Sequence, residues 1–168
     1  MNEPDAGGGG WTPLPIIDDN CFACGRENEH GLKMRFFSDG QRVRGRVTVP
    51  PHLSGWQRLA HGGVLATIAD ETMAWAAIHL LKRFILTREM TVSYRKPVPV
   101  GMALSATAAP ARRVGERDVI MGVSVKDGEG DLCFTAEGKF VLFTEEEFAA
   151  RGVLGDREIE VIKRLFTP

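Results

Sequence analysis

Eighteen residues, Val64 to Leu81 (VLATIADETMAWAAIHLL), hold thirteen apolar side chains, yet two adjacent acids, Asp70 and Glu71, sit near their centre. No other stretch restricts the fold as much. The apolar residues are spread round a helical period rather than along one stripe, which predicts a helix from about Gly62 to about Lys82, buried on nearly all sides. Such a helix needs an apolar surface to receive it, and the flanking sequence supplies strands.

Ahead of the helix, LKMRFF (32–37) predicts a first strand and Ser38-Asp39-Gly40 a turn, while QRVRGRVTV (41–49) alternates as a second strand would. Pro50-Pro51 ends it, and residues 52–60 predict a loop containing Trp56. Behind the helix come REMTVSYRKPV (88–98), ALSATAA (103–109), RDVIMGVSV (117–125) and DLCFTAEGKFVLF (131–143), the last two joined through a turn at Lys126-Asp127-Gly128. Thr144 and Glu147 form a capping box for a short helix, EEEFAAR. Ile159, Ile162 and Phe166 space a last amphipathic helix over 156–166. The expectation is an α+β domain, a curved antiparallel sheet of about six strands wrapped round one long central helix. Residues 1–10 (MNEPDAGGGG) read as a disordered leader, and 11–168 as a single domain with its core at about 30–143 and C-terminal helices at about 145–166.

Composition excludes some functions. Net charge is −1 with 26% charged residues, which gives no electrostatic surface for nucleic acid or an anionic membrane. Two acids inside the apolar run oppose a membrane span. The N-terminus has neither a basic nor an apolar signal region, and the cysteines number three. A reducing cytoplasm is therefore expected.

Gly63, Thr67, Asp70, Ala74 and Ala77 share one helix face, lined with small residues apart from the acid. Either that face is a wet strip, or Asp70 is partly desolvated there and poised as a general base. His61-Gly62-Gly63 opens the helix, although a helical glycine costs about 1 kcal/mol relative to alanine. Exposed N–H groups at the positive end of a helix dipole suit an oxyanion hole. The alternative is a tight turn, with His61 a capping or packing residue.

With Asp70 eight residues after Gly62 and strands to follow, these residues resemble the hotdog-fold acyl-CoA thioesterases, in particular the phenylacetate-degradation (PaaI-type) group of the thioesterase superfamily. The segment YRKPV (94–98) is similar to that family's aromatic-x-basic-Pro strand end. The resemblance implies that the Gly62 N–H, after His61, polarises the thioester carbonyl and that Asp70 acts as base or nucleophile. It also implies that Thr87 orients water. Gly55 stands where some relatives carry an amide, and Gln57 is a nearby amide at a different spacing. Glu71 points about 100° away from Asp70 round the helix, so Asp70 is the expected catalytic acid and Glu71 a substrate-side residue with Gly63. Arg95 and Lys96 are the expected phosphate-binding residues, among other basic candidates at Lys82, Arg83, Arg88, Arg112 and Arg113.

The implied substrate is an acyl-CoA or aryl-CoA, with no separate cofactor, since coenzyme A is part of the substrate. Rival activities are a hotdog enoyl-CoA hydratase or dehydratase and a non-enzymatic acyl-CoA-binding protein. Cys21-x-x-Cys24, with His30 nearby and Cys133 far off, lacks a complete tetrahedral ligand set, so packing thiols and no metal are expected ahead of a zinc site or a redox dithiol. Finally, eight residues of helix separate Gly62 from Asp70 by about 12 Å, too far for both to serve one carbonyl. A homodimer, or a dimer of dimers, with the site shared across a two-fold axis is expected.

Overall fold

The computed structural model describes residues 10–166. In chain order the strands and helices are β1 (Thr12–Pro13), β2 (Arg35–Ser38), β3 (Val43–Thr48), β4 (Ser54–Trp56), β5 (Leu59–Ala60), α1 (Gly62–Leu81), β6 (Phe84–Tyr94), β7 (Ala103–Val114), β8 (Asp118–Asp127), β9 (Leu132–Phe143), α2 (Glu145–Ala149) and α3 (Asp156–Arg164). One antiparallel sheet runs in the order β1-β2-β3-β7-β8-β9-β6, and β4 with β5 makes a separate ribbon. The sheet thus has seven strands where about six were expected. The extra one, β1, is two residues long and too short to show a period in sequence. The expected disordered leader lies outside the described residues apart from Gly10.

The sheet closes on α1 where side chains are missing. A Cβ on Gly45 of β3 would stand 2.8 Å from Thr72 Oγ1, and one on Gly138 of β9 would stand 2.9 Å from Met73 Cε. Those two glycines let both halves of the sheet approach the helix closely. Ile68, Met73, Trp75 and Ala76 fill the space between, each worth up to about 1.5–3 kcal/mol of apolar burial for the larger side chains. Trp75 stacks on Phe36 of β2 with ring centroids 5.1 Å apart. Buried Thr72 donates to the Ile68 carbonyl at 2.7 Å, so its hydroxyl is satisfied inside the helix.

Burial of α1 on nearly all sides needs correction within the single chain. Gly63 is exposed and Thr67, Asp70 and Ala74 are half-buried, whereas Ala77 is fully buried beneath the sheet. The small-residue face is therefore an open strip that ends at Ala74. The helix stops at Lys82, which takes the left-handed conformation (φ 55°) usual for glycine and bonds back to the Ile78 carbonyl. Its ammonium group also donates to the Leu165 carbonyl and so pins α3 to the end of α1. Phe84 begins β6 directly afterwards and stacks on Phe148 of α2 at 5.1 Å.

Candidate active site

The first site element is the N-terminus of α1. His61 caps it: its carbonyl accepts from Val64 and Leu65, and its Nδ1 accepts the Gly63 N–H at 2.9 Å. Accepting at Nδ1 puts the proton of the neutral ring on Nε2. The Gly63 amide is thereby occupied, and the Gly62 N–H is left without an acceptor among the described residues. On its other side, the Gly62 carbonyl accepts from the Tyr94 hydroxyl at 2.7 Å. A Cβ on Gly62 would meet Tyr94 Oη at 3.5 Å, an ordinary contact, so packing within the chain does not require glycine there.

The second element is Asp70 with Thr87. Thr87 Oγ1 donates to Asp70 Oδ1 at 2.9 Å across 17 positions of sequence. A register shift in the β6–β9 pairing between Thr87 and Glu89 makes this contact possible. Such a bulge re-aims side chains, sending Thr87 to Asp70 and Arg88 to Asp118 at 3.2 Å. Burial raises the Asp70 carboxyl above its usual 3.8, while the hydrogen bond from Thr87 pulls the other way. The structure therefore unites Asp70 with Thr87 and His61 with Gly62 and Gly63, as two sub-sites at different heights on α1.

The remaining predicted residues sit elsewhere. Glu71 turns toward Cys21, with Sγ to Oε1 at 3.5 Å, and accepts from Trp75 Nε1 at 3.2 Å. Burial pushes its carboxyl up to about 7. A hydrogen bond from Cys24 draws the Cys21 thiol down to about 5 and pushes the Cys24 thiol up. Lys96 is held by Asp127 at 2.5 Å and Asp131 at 3.1 Å. Arg95 is exposed, next to Tyr94. His30 faces His52, their ring centroids 6.4 Å apart. At Gly55 a Cβ would lie 3.0 Å from the His61 Cα, so a side chain there requires the His61 cap to give by a few tenths of an ångström.

Against known proteins, residues 58–134 match the thioesterase-superfamily model. This chain has the hotdog fold, and the segment that matches the superfamily model runs from β5 through α1 to the start of β9. It is similar to the acyl-coenzyme A thioesterase THEM4 of Xenopus laevis, 37% identical over 85 residues that make up 51% of this chain and 37% of that protein. The chain thus spans little more than a third of that relative's length. A solved thioesterase superfamily protein shares 26% identity and a TM-score of 0.65, covering 73% of this chain and 60% of the other. The PaaI protein of the E. coli phenylacetic acid degradation operon shares the fold, with a TM-score of 0.60 at 19% identity over 67% of this chain and 80% of that one.

The superfamily segment includes His61, Gly62, Asp70, Thr87 and Tyr94 and excludes Cys21 and Cys24. Two features of the candidate site escape sequence inspection. Tyr94 is the chain's one tyrosine, but nothing in its spacing announces a bond to Gly62. The bulge at Thr87 likewise has no glycine to mark it, and it coincides with the Asp70 contact.

Proposed function

We propose that the chain hydrolyses an acyl-CoA or aryl-CoA thioester to a carboxylate and free coenzyme A. The observation that carries this is the Asp70–Thr87 pair, a partly desolvated carboxylate on an open helix face with a hydroxyl fixed against it. Thr87 spends its proton on Asp70, so its lone pairs remain to accept from a water molecule. The second oxygen of Asp70 takes the water's other proton as its oxygen attacks the thioester carbon. The carbonyl oxygen, gaining charge, rests on the Gly62 N–H at the positive end of α1. The tetrahedral intermediate then expels the coenzyme A thiolate, which the proton held on Asp70 neutralises.

One chain cannot assemble this by itself, because about 12 Å of helix separates Gly62 from Asp70. Two chains related by a two-fold axis place Gly62 of one beside Asp70 of the other, packed through the Gly63-Thr67-Ala74 strip. The relative's name, acyl-coenzyme A thioesterase, supports the substrate class. Of the two expected phosphate contacts, Arg95 is the better placed, since two carboxylates already neutralise Lys96.

The test is free-thiol release from a panel of acyl- and aryl-CoA thioesters. Wild-type protein should turn over at least one of them, and Asp70→Asn should lower kcat by roughly 100-fold or more. Hydration of an enoyl-CoA with no thioester cleaved, or full activity in Asp70→Asn, would contradict the proposal.

A further inference from the structure

Cys21, Cys24 and Glu71 take no part in the hydrolysis above, yet the fold brings them together. Their ligand atoms, two sulfurs and a carboxylate oxygen, all lie within 4.8 Å of one another. The sequence offered the two thiols, His30 and the distant Cys133. The fold instead supplies Glu71, 50 positions from Cys21, from the middle of α1.

We propose that Cys21 Sγ, Cys24 Sγ and a Glu71 carboxylate oxygen bind one zinc-class divalent cation, with solvent as the fourth ligand. Zinc–sulfur bonds of about 2.3 Å and zinc–oxygen bonds of about 2.0 Å at tetrahedral angles give a sulfur–oxygen edge of about 3.5 Å. The Cys21 Sγ to Glu71 Oε1 distance is 3.5 Å. The surroundings orient the ligands. Trp75 Nε1 donates to Oε1 at 3.2 Å and fixes the carboxylate, as outer-shell donors do around metal ligands. The Cys24 N–H points at Cys21 Sγ at 3.4 Å, and the Gly25 N–H closes the turn on the Cys21 carbonyl at 2.9 Å. A Cβ on Gly25 would lie 2.3 Å from the Asp19 carbonyl oxygen, so this tight turn depends on glycine. Two thiolates and one carboxylate favour zinc over magnesium or calcium, which prefer all-oxygen sites. On binding, whatever protons the two thiols and the Glu71 carboxyl still carry go to solvent, and the cation takes both thiolates and the carboxylate with a net charge of −1. The cation ties the loop carrying Cys21 and Cys24 to α1 at the residue next to Asp70.

The experiment is zinc analysis of the full chain purified without chelator, followed by Zn²⁺ titration of metal-depleted protein against a chromophoric chelator. The expected content is about one zinc per chain. Glu71→Gln and Trp75→Phe should each weaken binding by about 10–100-fold, and Cys21→Ser or Cys24→Ser by more. Because a serine variant could misfold, Co²⁺ is added to metal-depleted wild type as a second measurement, and a thiolate-to-cobalt charge-transfer band is expected. Failure of the reduced wild type to take up Zn²⁺, absence of that band, or unchanged zinc affinity in folded Cys21→Ser and Glu71→Gln proteins would each overturn the proposal. So would a Cys21–Cys24 disulfide whose reduction restores no zinc uptake.

Discussion

In the proposed hydrolysis, Asp70 and Thr87 divide the work that one acid cannot do alone. Asp70 carries the negative charge, and Thr87 sets which of its oxygens is free. Removing the hydroxyl should therefore cost less than removing the charge. Thr87→Ala is expected to lower kcat by about 10-fold, less than the roughly 100-fold or more expected for loss of the base itself, and Thr87→Ser to stay near wild type. Steady-state kinetics on the best thioester decide this, and detection of an acyl-threonine would contradict it. Under the same proposal, Arg95 serves binding rather than chemistry. Arg95→Ala should raise KM several-fold with kcat little changed, as loss of a uniform phosphate contact does. An unchanged KM would remove Arg95 from the phosphate site.

At the scale of elements, the sheet is fitted to α1 through its glycines and its hairpins. Gly45→Ala puts a methyl group 2.8 Å from Thr72 Oγ1 and should destabilise by about 1–3 kcal/mol, measured by urea unfolding. The β8–β9 turn makes a different demand. Asp127 accepts from Lys96 and from the backbone of Glu129 and Asp131, and the Lys96 ammonium chiefly holds its carboxyl below 3.8. A depressed carboxylate stabilises the fold above its unfolded pKa and loses that contribution as pH falls toward its folded one. Below pH 3.8, melting temperature should thus fall more steeply in wild type than in Asp127→Asn.

Elements with a clear period were legible. Alternation marked the core of β3 and strand-like runs the cores of β7, β8 and β9, and the capping box at Thr144 and Glu147 is present as expected. Boundaries were harder to place. The strand expected at 88–98 runs instead over Phe84–Tyr94, because Lys82 ends α1 with no glycine to signal the turn. The first strand begins at Arg35 rather than Leu32, since the Leu32 and Met34 amides bond to the Phe22 and Ala23 carbonyls. At the site, Gly62 and Asp70 were visible through helix spacing. The partnership of Glu71 with the cysteines was not, since no local period links a loop to a helix 50 positions on.

The whole molecule leaves two surfaces open that belong together in the proposed assembly. One is the strip Gly63-Thr67-Asp70-Ala74, and the other is the outer edge of β6, an eleven-residue strand that among the described residues pairs only with β9. A long free edge with exposed Leu86 and Tyr94 is normally covered or blunted. A two-fold partner would cover both surfaces and complete the site. The most direct test mixes two inactive proteins. Gly62→Pro removes the proposed oxyanion donor at the first helical position, where proline is tolerated, after an extended His61 (ψ 136°) that suits it. Asp70→Asn removes the base. After co-refolding in equal amounts, mixed dimers hold one intact site and one doubly damaged site, so roughly a quarter of wild-type thioesterase activity should return. Mixed dimers verified by mass spectrometry but without activity would contradict a site shared between chains.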